Sequence, residues 1–195
     1  MKTFKYSLIY LLFFVSQFAF ATDIQPNTLF PKVKLTTNMG TILIELDRSR
    51  APITVDNFLT YVVDGHYDNT LFHRIIPGFV IQGGGLDLQK IEKPTMPPIV
   101  NESGNGLSNA MGTIAMARDN EPHSATSQFY FNIADNEQLD PSPRRWGYAV
   151  FGEIIQGGEV LQHMSSVATQ VDKTLNWPDF PIESVILIKA ELLPK

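Results

Sequence analysis

Phe72-His73-Arg74-Ile75-Ile76-Pro77-Gly78-Phe79-Val80-Ile81-Gln82-Gly83 reads as two short strands, Leu71–Ile75 and Phe79–Gln82, with Pro77 and Gly78 between them. Aromatic and β-branched residues dominate both runs, as half-buried pleated chain requires. Gly83, Gly84 and Gly85 are expected to stop the second strand. Arg74 is the charged residue of the stretch, so its role needs an explanation.

Working outward toward the N-terminus, Val33–Asn38 and Thr41–Asp47 alternate apolar and polar residues around Asn38-Met39-Gly40. That pattern predicts a β-hairpin. Pro52 to Asp64 reads as a helix, with Pro52 in its first turn and Ile53, Val55, Phe58, Leu59, Val62 and Val63 at helical spacing. Gly65 ends it. On the C-terminal side, Leu86 to Leu107 is irregular, carrying Pro94, Pro97, Pro98, Gly104 and Gly106. Loops of that length inside a compact domain are often functional. Strands are expected at Gly112–Arg118, Gln128–Ile133, Tyr148–Ile154 and Val185–Leu193. A second helix is expected at Glu159–Val167, apolar at Val160, Leu161, Met164 and Val167. Many short strands with two isolated helices argue against a doubly wound parallel sheet. They point to a mostly antiparallel barrel or sandwich, and periodicity does not choose between the two.

A chain of 195 residues with 44% hydrophobic and 18% charged residues suits one globular domain with its own core. It has no cysteine, which excludes a thiolate zinc site, a disulfide framework and a cysteine nucleophile. Lys2 and Lys5 precede an apolar run from Tyr6 to Phe20 that ends in Ala19-Phe20-Ala21. This pattern describes a cleaved secretory signal peptide over residues 1–21; the apolar run is short for a membrane span. A flexible lead-in over 22–31 and one domain over 32–195 follow. Cleavage removes two lysines and no acid, leaving 13 basic and 20 acidic groups, net −7. Nucleic-acid binding needs a basic face, so a nucleic-acid partner is excluded, as is stable membrane insertion after cleavage. A monomer is expected.

Four ordered blocks carry a resemblance: Phe72 to Phe79 followed by Gln82-Gly83-Gly84, then Gly112-Thr113-Ile114-Ala115-Met116-Ala117, then Ser127-Gln128-Phe129-Tyr130, then Val150-Phe151-Gly152. Together the chain resembles the cyclophilin family of peptidyl-prolyl cis-trans isomerases from about Val33 to Leu193. With its signal peptide and short connections it is similar to the periplasmic cyclophilins of Gram-negative bacteria. The resemblance implies a mainly β fold, a closed eight-stranded antiparallel barrel capped by two α-helices, with the substrate in a groove on the outside. It also implies an enzyme that speeds X-Pro rotation in exported, folding proteins, located in the periplasm, with secretion as the alternative. The rival reading is a peptide-binding chaperone or adaptor on the same scaffold, with isomerisation incidental.

Carried over position by position, the resemblance makes Arg74 the catalytic residue. Phe79, Val80, Tyr130 and Leu139 match the proline pocket. Gln82 matches a position that hydrogen-bonds the substrate backbone, and Ala117 and Arg118 match the strand along which the peptide lies. His73 is a candidate contact for the substrate's flank. Three positions depart from the better-known eukaryotic pattern: Tyr130 stands for phenylalanine, Gln138 for a frequent tryptophan and Tyr148 for histidine. Tryptophan at the Gln138 position accompanies tight cyclosporin binding in the family, so weak cyclosporin sensitivity is expected.

The chemistry needs no cofactor and no metal, and none is expected. Gly83-Gly84-Gly85 lacks the following Lys-Ser/Thr of a phosphate loop. His66, His123 and His163 lack metal-ligand spacing, and no G-x-S-x-G element supports a hydrolase. Pro141-Ser142-Pro143-Arg144-Arg145 reads as an exposed, polar connection near the groove.

Overall fold

The computed structural model describes residues 24–195; the predicted signal peptide lies outside the described residues. Strands β1 (Lys32–Thr37) and β2 (Gly40–Leu46) pair antiparallel, Lys32 with Glu45 through Thr37 with Gly40, as the expected hairpin. Their alternation places Val33, Leu35, Ile42, Ile44 and Leu46 fully inside. The remaining barrel strands are β3 (Thr70–Ile76), β4 (Val80–Asp87), β5 (Thr113–Met116), β6 (Phe129–Asn132), β7 (Val150–Gln156) and β10 (Ile186–Leu192). Hydrogen bonding runs β1-β10-β3-β4-β6-β5-β7-β2 and returns to β1, so the eight strands close. Closure leaves no sheet edge unpaired.

Helix α1 (Pro52–Val63) inserts Val55, Phe58, Leu59 and Val62 into the core. The Phe58 ring meets Tyr67, Phe129 and Phe151 at centroid distances of 5.1, 5.5 and 5.1 Å. Each such buried side chain stabilises by roughly 1.5–3 kcal/mol, so this aromatic cluster is a large share of what holds the barrel shut. Ala51 offers no side-chain cap to α1. The Glu102 carboxylate does so instead, accepting from the Ile53 and Thr54 amides at 3.2 and 2.8 Å. A carboxylate also suits the positive end of the helix dipole. The irregular 86–107 segment therefore closes over α1 as well as reaching toward the groove. Helix α2 (Gly158–Ser165) buries Val160, Leu161 and Met164 and ends two residues before the predicted Val167.

The structure adds two features to the expected plan and corrects one expectation, the strand stop at Gly83–Gly85. The lead-in is held down over residues 24–28: the buried Arg48 guanidinium donates to the carbonyls of Ile24, Gln25 and Thr28 at 2.7, 2.7 and 2.6 Å. Strand β4 runs through Gly83, Gly84 and Gly85 to Asp87. Leu71 pairs with Leu86 but Phe72 pairs with Gly83, so Gly84 and Gly85 form a bulge inside the strand. A further hairpin, β8 (Thr169–Gln170) with β9 (Phe180–Pro181), lies outside the barrel. It carries the loop 171–179 against the outer side of β3.

Candidate active site

A second irregularity decides where Arg74 points. Phe72 pairs with Gly83 and Arg74 with Gln82, so His73 has no partner on β4. Strict alternation would put Arg74 on the same face as Phe72, which is in the core. The extra residue re-aims Arg74 outward, directly opposite Gln82, and returns Ile75 to the interior. Register then carries the surface onward, from Gln82 to Tyr130 on β6 and from Tyr130 to Ala115 on β5.

These residues line a hollow of about 340 Å³ formed by Arg74, Phe79, Val80, Gln82, Ala117, Arg118, Tyr130, Leu139 and Tyr148. Val80, Tyr130 and Val150 are buried beneath it with Ala115, and Phe79, Leu139, Ala117 and Tyr148 pack against them. The groove continues past Gln82, Ala117 and Arg118 to Thr126 and Gln128. The Gln82 amide donates to Gln128 Oε1 at 2.9 Å. The Arg118 guanidinium lies 4.5 Å from the Tyr148 ring centroid and donates to the Gly147 and Trp146 carbonyls. Arg118 therefore holds the Tyr148 wall in place and has few donors left for a ligand.

Two expected site residues lie elsewhere. His73, a candidate for the substrate's flank, is the bulge residue and is 3% exposed. It faces Trp177 of the outer loop, with ring centroids 5.6 Å apart. Gln138, in the 3₁₀ turn Glu137–Leu139, is exposed and outside the lining. Its amide donates to Asn136 Oδ1 at 3.1 Å.

Reading the sequence missed the frame beneath the pocket. Asn109, Asn132 and Asn136 are buried; Asn109 and Asn136 hold the walls, and Asn132 links the two. The Tyr130 hydroxyl donates to Asn109 Oδ1 at 2.7 Å. Asn109 Nδ2 in turn donates to Asp140 Oδ1 at 2.8 Å. Asn136 Nδ2 donates to the Phe79 carbonyl and to Asn132 Oδ1 at 2.9 and 2.7 Å. The Leu139 amide donates to the Asn136 carbonyl at 2.8 Å. Burial holds the Tyr130 phenol well above its usual range, helped by Tyr148 and Asp140. It stays protonated and donates inward, so the pocket wall remains apolar despite the hydroxyl. The signal available in the sequence was a set of asparagines beside strand ends, which reads equally as turn chemistry.

His73 gives the region a pH signature. Burial pushes its imidazole down to about 4, opposed by the Leu71 backbone and aided by Arg74. Burial and then Lys93 also lower His66. Between pH 6.5 and 4 the unfolded chain binds more protons than the folded one, so stability falls as pH drops through that window. A displacement of that size is worth about 3 kcal/mol for His73. Urea unfolding at pH 7 and pH 4 is expected to show a loss of that order, and His73→Leu a distinctly shallower pH dependence. An unchanged slope in the variant would contradict the assignment.

Known proteins match this chain in sequence and in fold. A family model described as cyclophilin type peptidyl-prolyl cis-trans isomerase/CLD matches residues 32–190. The chain is 45% identical over 163 residues to peptidyl-prolyl cis-trans isomerase A of Dickeya dadantii, covering 84% of this chain and 85% of that protein. It is 47% identical over 154 residues to peptidyl-prolyl cis-trans isomerase B of Escherichia coli, covering 77% and 93%. A crystal structure of a Cryptosporidium parvum cyclophilin type peptidyl-prolyl cis-trans isomerase, in the presence of the dipeptide Ala-Pro, superposes with a TM-score of 0.69 at 28% identity, covering 84% of this chain and 99% of that one. A closed barrel, an arginine turned outward by a bulge beside an apolar hollow, and these matches together place the chain in the cyclophilin family, as a peptidyl-prolyl cis-trans isomerase.

Proposed function

We propose that the protein accelerates X-Pro rotation in exported proteins as they fold, with Arg74 stabilising the twisted amide above an apolar proline pocket. The observation that carries this reading is the Arg74 guanidinium beside a hollow walled by Phe79, Val80, Tyr130 and Leu139, where the other guanidinium, that of Arg118, is engaged by backbone carbonyls. X-Pro rotation faces a barrier of about 18–20 kcal/mol because the C–N bond has partial double-bond character. No covalent bond breaks. A thousandfold to millionfold acceleration needs roughly 4–8 kcal/mol of binding that is stronger in the twisted state than in either planar state. As the amide twists, the nitrogen lone pair localises and becomes an acceptor. A preorganised, permanently charged donor aimed there is favourable only in that state.

In this reading the proline ring sits on Phe79, Val80, Tyr130 and Leu139. Gln82, across the ladder from Arg74, holds the substrate backbone, and the chain passes along Ala117. Export follows from the apolar run that ends in Ala19-Phe20-Ala21, which would place the enzyme in the periplasm with unfolded clients.

The test is catalysed isomerisation of an X-Pro tetrapeptide by wild type, Arg74→Ala and Phe79→Ala. Phe79→Ala removes pocket wall, so binding and turnover should both weaken, with KM rising several-fold. A Phe79→Ala enzyme with unchanged KM would remove Phe79 from the pocket. Cyclosporin inhibition is a second check. Gln138 offers no indole face, and its amide is turned to Asn136, so inhibition should be far weaker than nanomolar. Nanomolar inhibition would contradict this.

A further inference from the structure

Arg74 is a long, flexible side chain on an open groove, its side chain 37% exposed. A guanidinium that is free to swing spends part of its time away from the pocket, and a misplacement of about 1 Å can cost a large factor in rate. Something must therefore hold it over the proline. Among the described residues, Asp179 is the carboxylate that reaches it, with Oδ2 3.7 Å from Arg74 Nε. With the Nε edge turned to Asp179, the Nη donors remain available to the groove.

The mount of Asp179 is firm. Its backbone lies in the left-handed region, φ +60°, where Asp and Asn are tolerated better than other non-glycine residues. Its carbonyl accepts from the Ile75 amide at 2.9 Å, on the residue next to Arg74. The loop behind it is folded on the buried Asp172, whose Oδ1 accepts from the Thr174 and Leu175 amides at 2.9 Å each. Lys90 pairs with the same carboxylate. Trp177 of this loop packs on the bulge residue His73. The outer hairpin that sequence periodicity overlooked thus delivers one carboxylate to the side of Arg74.

We propose that Asp179 is a positioning residue for the isomerisation, biasing the Arg74 guanidinium toward the pocket. The inference rests on the reading of Arg74 as catalytic. An exposed pair at this distance contributes little to folding stability, so its use lies in orientation. An opposite effect is also physically available: the carboxylate would dampen the field of the guanidinium at the proline nitrogen, and removing it would then speed the reaction. Asp179→Asn separates the two, because asparagine accepts the same backbone conformation and lacks the charge.

The experiment measures kcat and peptide Kd for wild type, Asp179→Asn, Arg74→Ala and the double variant. Positioning predicts that Asp179→Asn lowers kcat about three- to sixfold, leaves Kd within about twofold and adds nothing in the Arg74→Ala background. Raising salt should likewise lower kcat in wild type more than in Asp179→Asn, because exposed pairs are screened. An Asp179→Asn enzyme as fast as wild type or faster overturns the proposal. So does a loss that persists at full size in the Arg74→Ala background, which would make Asp179 a support for the loop alone. If Arg74→Ala keeps the wild-type rate, the catalytic reading falls first and this inference with it. If Arg74→Ala is slow and Asp179→Asn is not, this inference alone falls.

Discussion

Arg74→Ala is expected to lower kcat/KM for an X-Pro peptide by about 100- to 1000-fold, the loss seen when one preorganised donor to a developing charge is removed. The size follows from the chemistry. The twisted amide nitrogen gains an acceptor that neither planar isomer has, so the guanidinium acts selectively on the transition state. Arg74→Lys is expected to recover only part of the loss, because an ammonium lacks the planar fork of donors and samples more positions. Neither substitution should unfold the protein. Arg74 is partly exposed, and its ion pair with Asp179 is a surface pair, the kind that contributes at most about 1 kcal/mol. Urea midpoints near wild type would show that lost activity is not lost folding.

The second large effect falls on stability. Gly84→Val is expected to destabilise the protein by several kcal/mol. Gly84 adopts φ +85°, and a Cβ there would stand 2.9 Å from Tyr67 Cε1 and 3.0 Å from two Phe129 ring carbons. The left-handed backbone alone costs a non-glycine residue roughly 1–2 kcal/mol. Forcing aromatic rings apart in a packed core adds roughly 1–3 kcal/mol. Tyr67 has little room to yield, because it is fully buried and donates its hydroxyl to the Ser127 carbonyl at 2.7 Å. Against a typical total stability of about 5–15 kcal/mol, the loss should be plain in a urea unfolding curve. A shift below about 0.5 kcal/mol would mean that the glycine bulge is not the tight passage described.

Gly84 also shows why part of the fold could not be read from residues alone. Three consecutive glycines carry the local signal of a strand end, yet here Gly83 stays in the ladder and Gly84 and Gly85 form a bulge, and Gly83 and Gly84 let β4 pass close to Phe72, Tyr67 and Phe129. The cause is tertiary, since the rings that need the space come from distant parts of the chain. The alternating runs of β1 and β2 and the apolar stripe of α1 were legible because one face of each is buried and the period shows it. Barrel closure was not, because it depends on pairings such as Val33 with Leu192 that no local pattern records. The family resemblance supplied it.

The site divides the same way. Arg74, Phe79, Val80, Gln82, Ala117, Arg118, Tyr130, Leu139 and Tyr148 were named by carrying the family resemblance over position by position, and they line one hollow. His73 was read from its place beside Arg74, equally as a structural residue or a flank contact; the bulge there turns it toward Trp177, which no local pattern reveals. Asn109, Asn132 and Asn136 were invisible as a group. Each is an ordinary polar residue until the strands bring them together beneath Tyr130 and Phe79. Asp179 was missed because the β8–β9 hairpin is too short to show a period.

The central claim is that Arg74 acts on the rotating bond rather than on docking. It is tested most directly by exchange NMR on one X-Pro peptide, which reports the affinity and the catalysed interconversion rate in the same sample. With Arg74→Ala, the on-enzyme interconversion rate should fall at least 100-fold while Kd stays within about twofold of wild type. An interconversion rate close to wild type, or a loss fully matched by weaker binding, would contradict it.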